Sequence, residues 1–181
     1  HTNWRLLAGV RGDLNPSWSY DVYAMRAQVD APSVYENDFL VSRLENALDV
    51  VGTPGDPSTW QCRSGDTGCV PWNIFSIGGV TQASVDYLSV PYMYDSGTTT
   101  KMLAGLVRGD LGVKFPSATE PVEVAIGGEI RQESLFVTPD FVRGSGLGAG
   151  QGGPTPAVDG SYQTNEAYTE LRVPLVQDAP G

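Results

Sequence analysis

The sequence predicts an all-β chain of antiparallel strands, of the kind that builds a transmembrane β-barrel, forming a partial barrel of about five to six strands. Two observations carry this reading. Between Pro121 and Glu133, Val122, Val124, Ile126, Gly128 and Ile130 fall on one side; Glu123, Ala125, Gly127, Glu129, Arg131 and Glu133 fall on the other. Successive side chains of a strand point to opposite faces, so one face is oily and the other charged. The pattern also recurs, joined by connections that alternate short and long, which describes a wall between lipid and a wet lumen. A soluble sandwich of this size offers turn signals every ~8–12 residues without that see-saw.

The elements follow in order. Leu6 to Leu14 places Leu6, Ala8, Val10 and Leu14 on one face and Arg5, Arg11 and Asp13 on the other. Asn15-Pro16-Ser17 makes a tight turn, because Pro fixes its dihedral and Asn and Ser bond their own backbone. Trp18 to Gln28 returns, with Trp18, Tyr20, Val22 and Ala24 on the oily face against Ser19, Asp21 and Tyr23. Aromatic rings beside a turn suit a membrane interface, and equally suit hairpin packing.

A long excursion spans residues 29 to about 97. Phe39, Leu40, Leu44, Ala47, Leu48 and Val51 recur at helical spacing, which predicts a short amphipathic helix around Ser42–Val51. Thr81 can cap a second one carrying Ala83, Val85, Tyr87 and Leu88. Thr99 to Leu111 is strand-like again and ends in Arg108-Gly109-Asp110-Leu111, echoing Arg11-Gly12-Asp13-Leu14. The echo suggests two strands ending at one chemical boundary; adhesion through Arg-Gly-Asp is disfavoured because both copies sit at strand ends. A moderate turn over Gly112–Glu120 leads into the strand described first. A second loop, about 137–160, is Gly- and Pro-rich and is expected to be flexible; it lacks the Lys-Ser/Thr and following helix of a phosphate-binding loop. Tyr162 to Val173 closes the set, with Tyr162, Glu166, Tyr168, Glu170 and Arg172 on one face. Pro174 and Asp178-Ala179-Pro180-Gly181 end it. All 181 residues are read as one segment of a barrel domain without a plug.

Composition narrows the function. With 21 acidic and 11 basic residues the net charge is -10, a field that repels nucleic acid. No apolar run approaches the ~20 residues of a spanning helix, whereas strand spans signal by alternation. The chain begins at His1 in mid-pattern, without an initiator Met or secretory leader, which reads as a processed product or an excerpt of something larger. Cys62 and Cys69 are the only cysteines. The glycines between them allow a local disulfide in an oxidising compartment; a metal pair is the weaker reading, with no further Cys or His nearby to complete a tetrahedral set. His1 is the sole histidine, so Ser-His-Asp, Cys-His and metal-His arrangements lack their base or ligand. The carboxylates Glu123, Glu129, Glu133, Glu166 and Glu170 read as a solvated wall. We expect neither an enzyme nor a cofactor.

The ordering of these pieces resembles the barrel domain of TonB-dependent outer-membrane receptors, especially those of proteobacteria. It rests on Leu7-Ala8-Gly9-Val10-Arg11-Gly12-Asp13-Leu14 with Trp18-Ser19-Tyr20-Asp21-Val22-Tyr23, then Arg43 to Asp49, Cys62 with Gly68-Cys69-Val70-Pro71-Trp72-Asn73-Ile74-Phe75, and Asp86-Tyr87. Arg108-Gly109-Asp110-Leu111, Pro121-Val122, Gly127-Gly128-Glu129-Ile130-Arg131-Gln132-Glu133, Gly160-Ser161-Tyr162, Glu166-Ala167-Tyr168, Glu170 and Val173-Pro174-Leu175 continue it. The set is collinear over nearly the whole chain.

The resemblance implies a barrel of roughly 22 strands around an N-terminal plug, of which this chain supplies about a quarter. Its implied activity is import of iron chelates, cobalamin or carbohydrates across the bacterial outer membrane. The implied partners are outer-membrane lipid, the remainder of the barrel and plug, and the TonB energy-coupling complex through that plug. Expected to line the lumen are Arg11, Asp13, Arg108, Asp110, Glu129, Arg131, Glu133, Tyr168 and Arg172. Five or six strands leave two unpaired edges, so self-association into an extracellular β-rich fibre is an alternative, as is a secreted soluble β-sandwich binding protein.

Overall fold

A computed structural model describes residues 1–177; the expected chain end at residues 178–181 lies outside them. Strand accounts for 53% of the chain and helix for 13%, in mostly antiparallel sheet. The strands are β1 (Thr2–Asn15), β2 (Trp18–Asp30), β3 (Ser33–Phe39), β4 (Val50–Val51), β5 (Gln61–Cys62), β6 (Ser89–Asp110), β7 (Glu123–Pro139) and β8 (Val158–Arg172). One six-stranded sheet has the order β1-β2-β6-β7-β8, with β3 also on β6; β4 and β5 form a separate ribbon. Helices α1 (Val41–Leu48), α2 (Gln82–Leu88) and α3 (Phe141–Ser145) occupy the connections.

The chain divides into two compact units. Unit 1 comprises His1–Asp30, Gly97–Leu135 and the residues from Asp159 onward; unit 2 comprises Ala31–Ser96 and Phe136–Val158. In unit 1 the registers Ala8↔Ala24 and Ala24↔Leu103 carry each face's residues across three strands in step. The β1–β2 turn is closed by Asn15, whose Oδ1 accepts the Ser17 amide at 2.9 Å, as the Asx-turn expectation requires. That turn and the 111–122 turn share one end of unit 1: the Asp110 amide donates to Ser17 O at 3.2 Å. The segment after β8 is stitched to the 111–122 turn, where Gln177 Oε1 accepts the Thr119 and Glu120 amides at 2.8 Å each.

In unit 2, Thr81 caps α2 as the sequence predicts, accepting the Ser84 amide at 3.1 Å, while Ser84 Oγ accepts the Thr81 amide at 3.2 Å. Leu88 and Ala47 from the two helices are fully buried. The two expected loops are shorter than the sequence suggests, because strand structure enters both. β3 and the first nine residues of β6 lie inside 29–97, and β7 and β8 extend to Pro139 and back to Val158. Pro91 disguises β6: it falls at the register shift between Tyr35 and Asp38, a kind of position where strands accommodate proline. Asn37 takes φ +62° at that bulge, a left-handed conformation that asparagine tolerates. The glycine-rich stretch, expected to be a flexible loop, contains α3, capped by Asp140 at one end and by left-handed Gly146 at the other. The Ala149 amide then donates to Phe39 O at 2.7 Å.

Candidate functional site

The two faces of the unit 1 sheet differ in chemistry, most sharply toward the turns; away from them the second face also carries Leu7, Met25 and Met102 in register. On one, the registers align Leu6, Ala8 and Val10 of β1 with Arg26, Ala24 and Val22 of β2, and these with Lys101, Leu103 and Gly105 of β6. Strand alternation adds Ile126 and Ile130 of β7 and Leu171 of β8. This apolar face is uncovered: Leu6 is 66% exposed, Val10 64% and Leu171 56%. Facing sheets in a soluble sandwich bury such side chains against each other; among the described residues of unit 1 no second sheet does so.

Glycines on the sheet are covered by aromatic rings of neighbouring strands. A Cβ on Gly109 would lie 2.4 Å from the Trp18 ring, and one on Gly127 2.4 Å from the Tyr168 ring. Each ring occupies the space that a side chain at its glycine would take, restoring cross-strand contact.

The opposite face holds the residues expected to line a lumen. Arg11 stands directly across from Asp21, and Asp13 and Arg108 both stand across from Ser19. Arg11, Asp13, Asp21 and Arg108 line one concavity of ≈ 470 Å³. Arg108, Asp110, Glu123, Glu170 and Arg172 line a second, of ≈ 560 Å³, by the 111–122 turn. Both Arg-Gly-Asp copies therefore sit at the turn end of unit 1 and present Arg and Asp to one face. Arg131 pairs with Glu129 at 2.6 Å along β7, and Tyr162 donates to Glu133 at 2.6 Å. Arg172 reaches Glu120 at 2.6 Å and Glu123 at 3.1 Å. Tyr168 covers Gly127 on the same face. The nine residues thus share a face without converging on a point. Exposed ion pairs of this kind stabilise little, and a row of them offers a polar, adaptable surface rather than a reactive centre.

Unit 2 holds a cluster that sequence reasoning missed. Asp38 accepts the Tyr92 hydroxyl, the Phe39 amide at 2.8 Å and the Gly150 amide at 3.2 Å. Burial raises the Asp38 carboxyl's pKa, but these donors outweigh it and hold the group below its ordinary value of 3.8. The Arg143 guanidinium lies within 5.3–5.8 Å of the Tyr35, Tyr92 and Tyr94 ring centroids. The only local signal was the strand-like Tyr92-Met93-Tyr94 alternation, which Pro91 obscured. Cys62 and Cys69 are disulfide-bonded, with Cα atoms 6.2 Å apart, which settles the first of the two expected readings. Nearby, Tyr87 donates to Asp66 at 2.7 Å and Arg63 pairs with Asp49 at 3.0 Å.

Among the described residues no group of three or more His, Cys, Asp or Glu is placed to hold a metal, and no helix is long and apolar enough to cross a membrane. Comparison with protein-family models, curated proteins and solved structures finds no match.

Proposed function

We propose that this chain is a wall segment of a TonB-dependent outer-membrane receptor, with the apolar face against lipid and the charged face lining the lumen. The single observation that carries the proposal is a sheet of long strands with an uncovered aliphatic face backing a charged one. β1, β2, β6, β7 and β8 have 14, 13, 22, 17 and 15 residues. Soluble strands average about 5–6 residues, whereas tilted spanning strands need about 9–11. The aromatic spacing fits as well. Trp4 pairs with Gln28, ten positions along β2 from Trp18, and both rings lie on the apolar face. Ten residues span about 33 Å, or about 25 Å when tilted by ~40°, close to the height of an outer-membrane apolar band between its aromatic girdles. The connections at the turn end are short and the others long, the asymmetry of periplasmic and extracellular sides. Ligand import, with iron chelates, cobalamin or carbohydrates as cargo, belongs to the whole receptor with its plug.

The test is a dye scan on a Cys62→Ser/Cys69→Ser background, with single cysteines at positions 19 to 24 and 101 to 106. In phosphatidylcholine vesicles an environment-sensitive label shifts to the blue at 20, 22, 24, 103 and 105 and not at their neighbours. A uniform response along either strand removes the proposal.

A second reading has one observation in its favour. β1 and β8 each have only one partner strand among the described residues, so two long edges are open. Copies adding edge to edge would form a β-rich fibre. Filaments in electron micrographs of the purified chain without detergent would select this reading.

A further inference from the structure

We infer that the outer edge of β1 is a self-recognition site whose partner is β1 of a second copy, paired antiparallel about a two-fold axis at Gly9. The inference rests on the open edges of the second reading above and says which of them meet, and in what register. All residues of β1 except Gly12 are exposed, and β2 is its one partner strand among the described residues. An edge of 14 residues offers a row of backbone N–H and C=O groups to another strand.

Strand direction selects the edge. β1–β2 and β2–β6 are antiparallel. β6 meets β7 at 111/122 and again at 102/131, and β7 meets β8 at 123/172 and again at 133/162, so these pairs are antiparallel as well. β1 and β8, at opposite ends of the order, therefore run in the same direction. A copy adding its β1 to β8 is then either parallel, the less stable pairing, or antiparallel with its apolar face turned to the charged side. A two-fold axis normal to the sheet avoids both. It brings β1 to β1 or β8 to β8, antiparallel, with like faces on one side. β8 carries Asp159, Glu166 and Glu170 against Arg172 alone, and Glu120 and Glu123 already hold that arginine. Two β8 edges repel, which leaves β1.

Charge selects the register. Like faces match only when opposed residues have numbers that sum to an even value. Arg5, Arg11 and Asp13 share the charged side of β1, and none forms an ion pair among the described residues. With Gly9 opposite Gly9 of the second copy, Arg5 faces Asp13 and Asp13 faces Arg5, while Val10 meets Ala8 on the apolar side. With Ala8 opposite Ala8, each Arg5 faces an Arg11, like charges directly opposed. Opposing Arg11 to Asp13 keeps only Arg11 to Asp13 of the regular ladder in contact, because β1 is irregular between Asp13 and Asn15.

The full chain, carrying Cys62→Ser/Cys69→Ser and one nitroxide-labelled cysteine in place of Asn3, Trp4, Leu6 or Leu7, is measured by pulsed electron resonance in detergent-free buffer. The separation between equivalent labels is expected to fall steadily toward residue 9, about 41, 34, 20 and 14 Å at ~3.4 Å per residue. Arg5→Glu, which sets acid against acid twice, weakens association about tenfold, and Arg5→Glu/Asp13→Arg restores it. One separation of about 24 Å at all four positions, five strands at ~4.8 Å each, marks parallel head-to-tail addition. That result overturns the two-fold site and leaves the fibre reading standing. Separations converging on another residue, or association indifferent to Arg5→Glu, overturn the register. A chain that does not associate overturns the site and the fibre reading together.

Discussion

A glycine beneath an aromatic ring is a more exact specification than the alternation around it. At Gly109 an added methyl would meet Ser17 O at 2.6 Å as well as the Trp18 ring, so backbone must yield along with the side chain. At Gly127 the three nearest obstacles are all atoms of the Tyr168 side chain. Gly109→Ala and Gly127→Ala are each expected to destabilise the folded chain by about 1–3 kcal/mol, with Gly109→Ala the larger. Gly160→Ala, where nothing lies within 4 Å, should stay within about 0.5 kcal/mol. Urea midpoints in detergent micelles give the comparison. Asp38 makes a second prediction at this scale. Its carboxyl is held below 3.8 in the folded state, so the unfolded state takes up the proton first as pH falls. The stabilisation is therefore complete above the unfolded value and is lost as pH drops below about 4 through the folded one. Near-ultraviolet circular dichroism, to which Tyr35, Tyr92 and Tyr94 contribute, should fade over that range. Asp38→Asn should weaken the signal at neutral pH and remove most of its acid dependence.

Elements differ in how far their own residues determine them. β1, β2 and the first part of β7 were legible because every second residue declares its face, but the pairing Val10↔Val22 was not, since an irregularity between Asp13 and Asn15 shifts the register by one from the Asn15↔Trp18 pair at the turn. α2 was legible because Thr81 and Ser84 are three apart and exchange hydrogen bonds locally. β3 and the Asp38 cluster were not, since Asp38 finds its partners 54 and 112 residues away, at Tyr92 and Gly150. No local pattern encodes contacts of that range. The disulfide shows the same division. Its spacing was readable, but its role in holding β5 beside β4, with Val50 opposite Cys62, was not. Closing so short a loop is worth about 2–3 kcal/mol on chain-entropy grounds. Cys62→Ser/Cys69→Ser should therefore speed amide exchange at Val51 and Cys62-flanking positions by about 30- to 150-fold, while the β1–β2 amides keep their rates.

For the whole molecule, the question is what solvent each face was selected to meet, and a charge placed on either face answers it. Arginine at Val10, Val22, Leu103, Ile126 or Leu171 puts a guanidinium on the aliphatic face. Against hydrocarbon this costs about 2–4 kcal/mol at mid-band, falling to about 0–1 near the borders. Arginine at Ser19 or Thr100, each on the charged face, should change stability by no more than about 0.5 kcal/mol. Unfolding in vesicles therefore separates the variants by face and, within the apolar face, by depth. In a fibre the ordering changes, because the cost would follow distance from the β1 and β8 edges: Val10 and Leu171 would be sensitive and Leu103, in the middle strand, the least so. In a soluble sandwich all five apolar positions would be costly irrespective of depth, since each would bury an unpaired cation in a protein core. The three architectures thus predict three different profiles for one set of variants. A profile that peaks at mid-band on every strand and vanishes one residue away supports a membrane wall, and any other profile removes it.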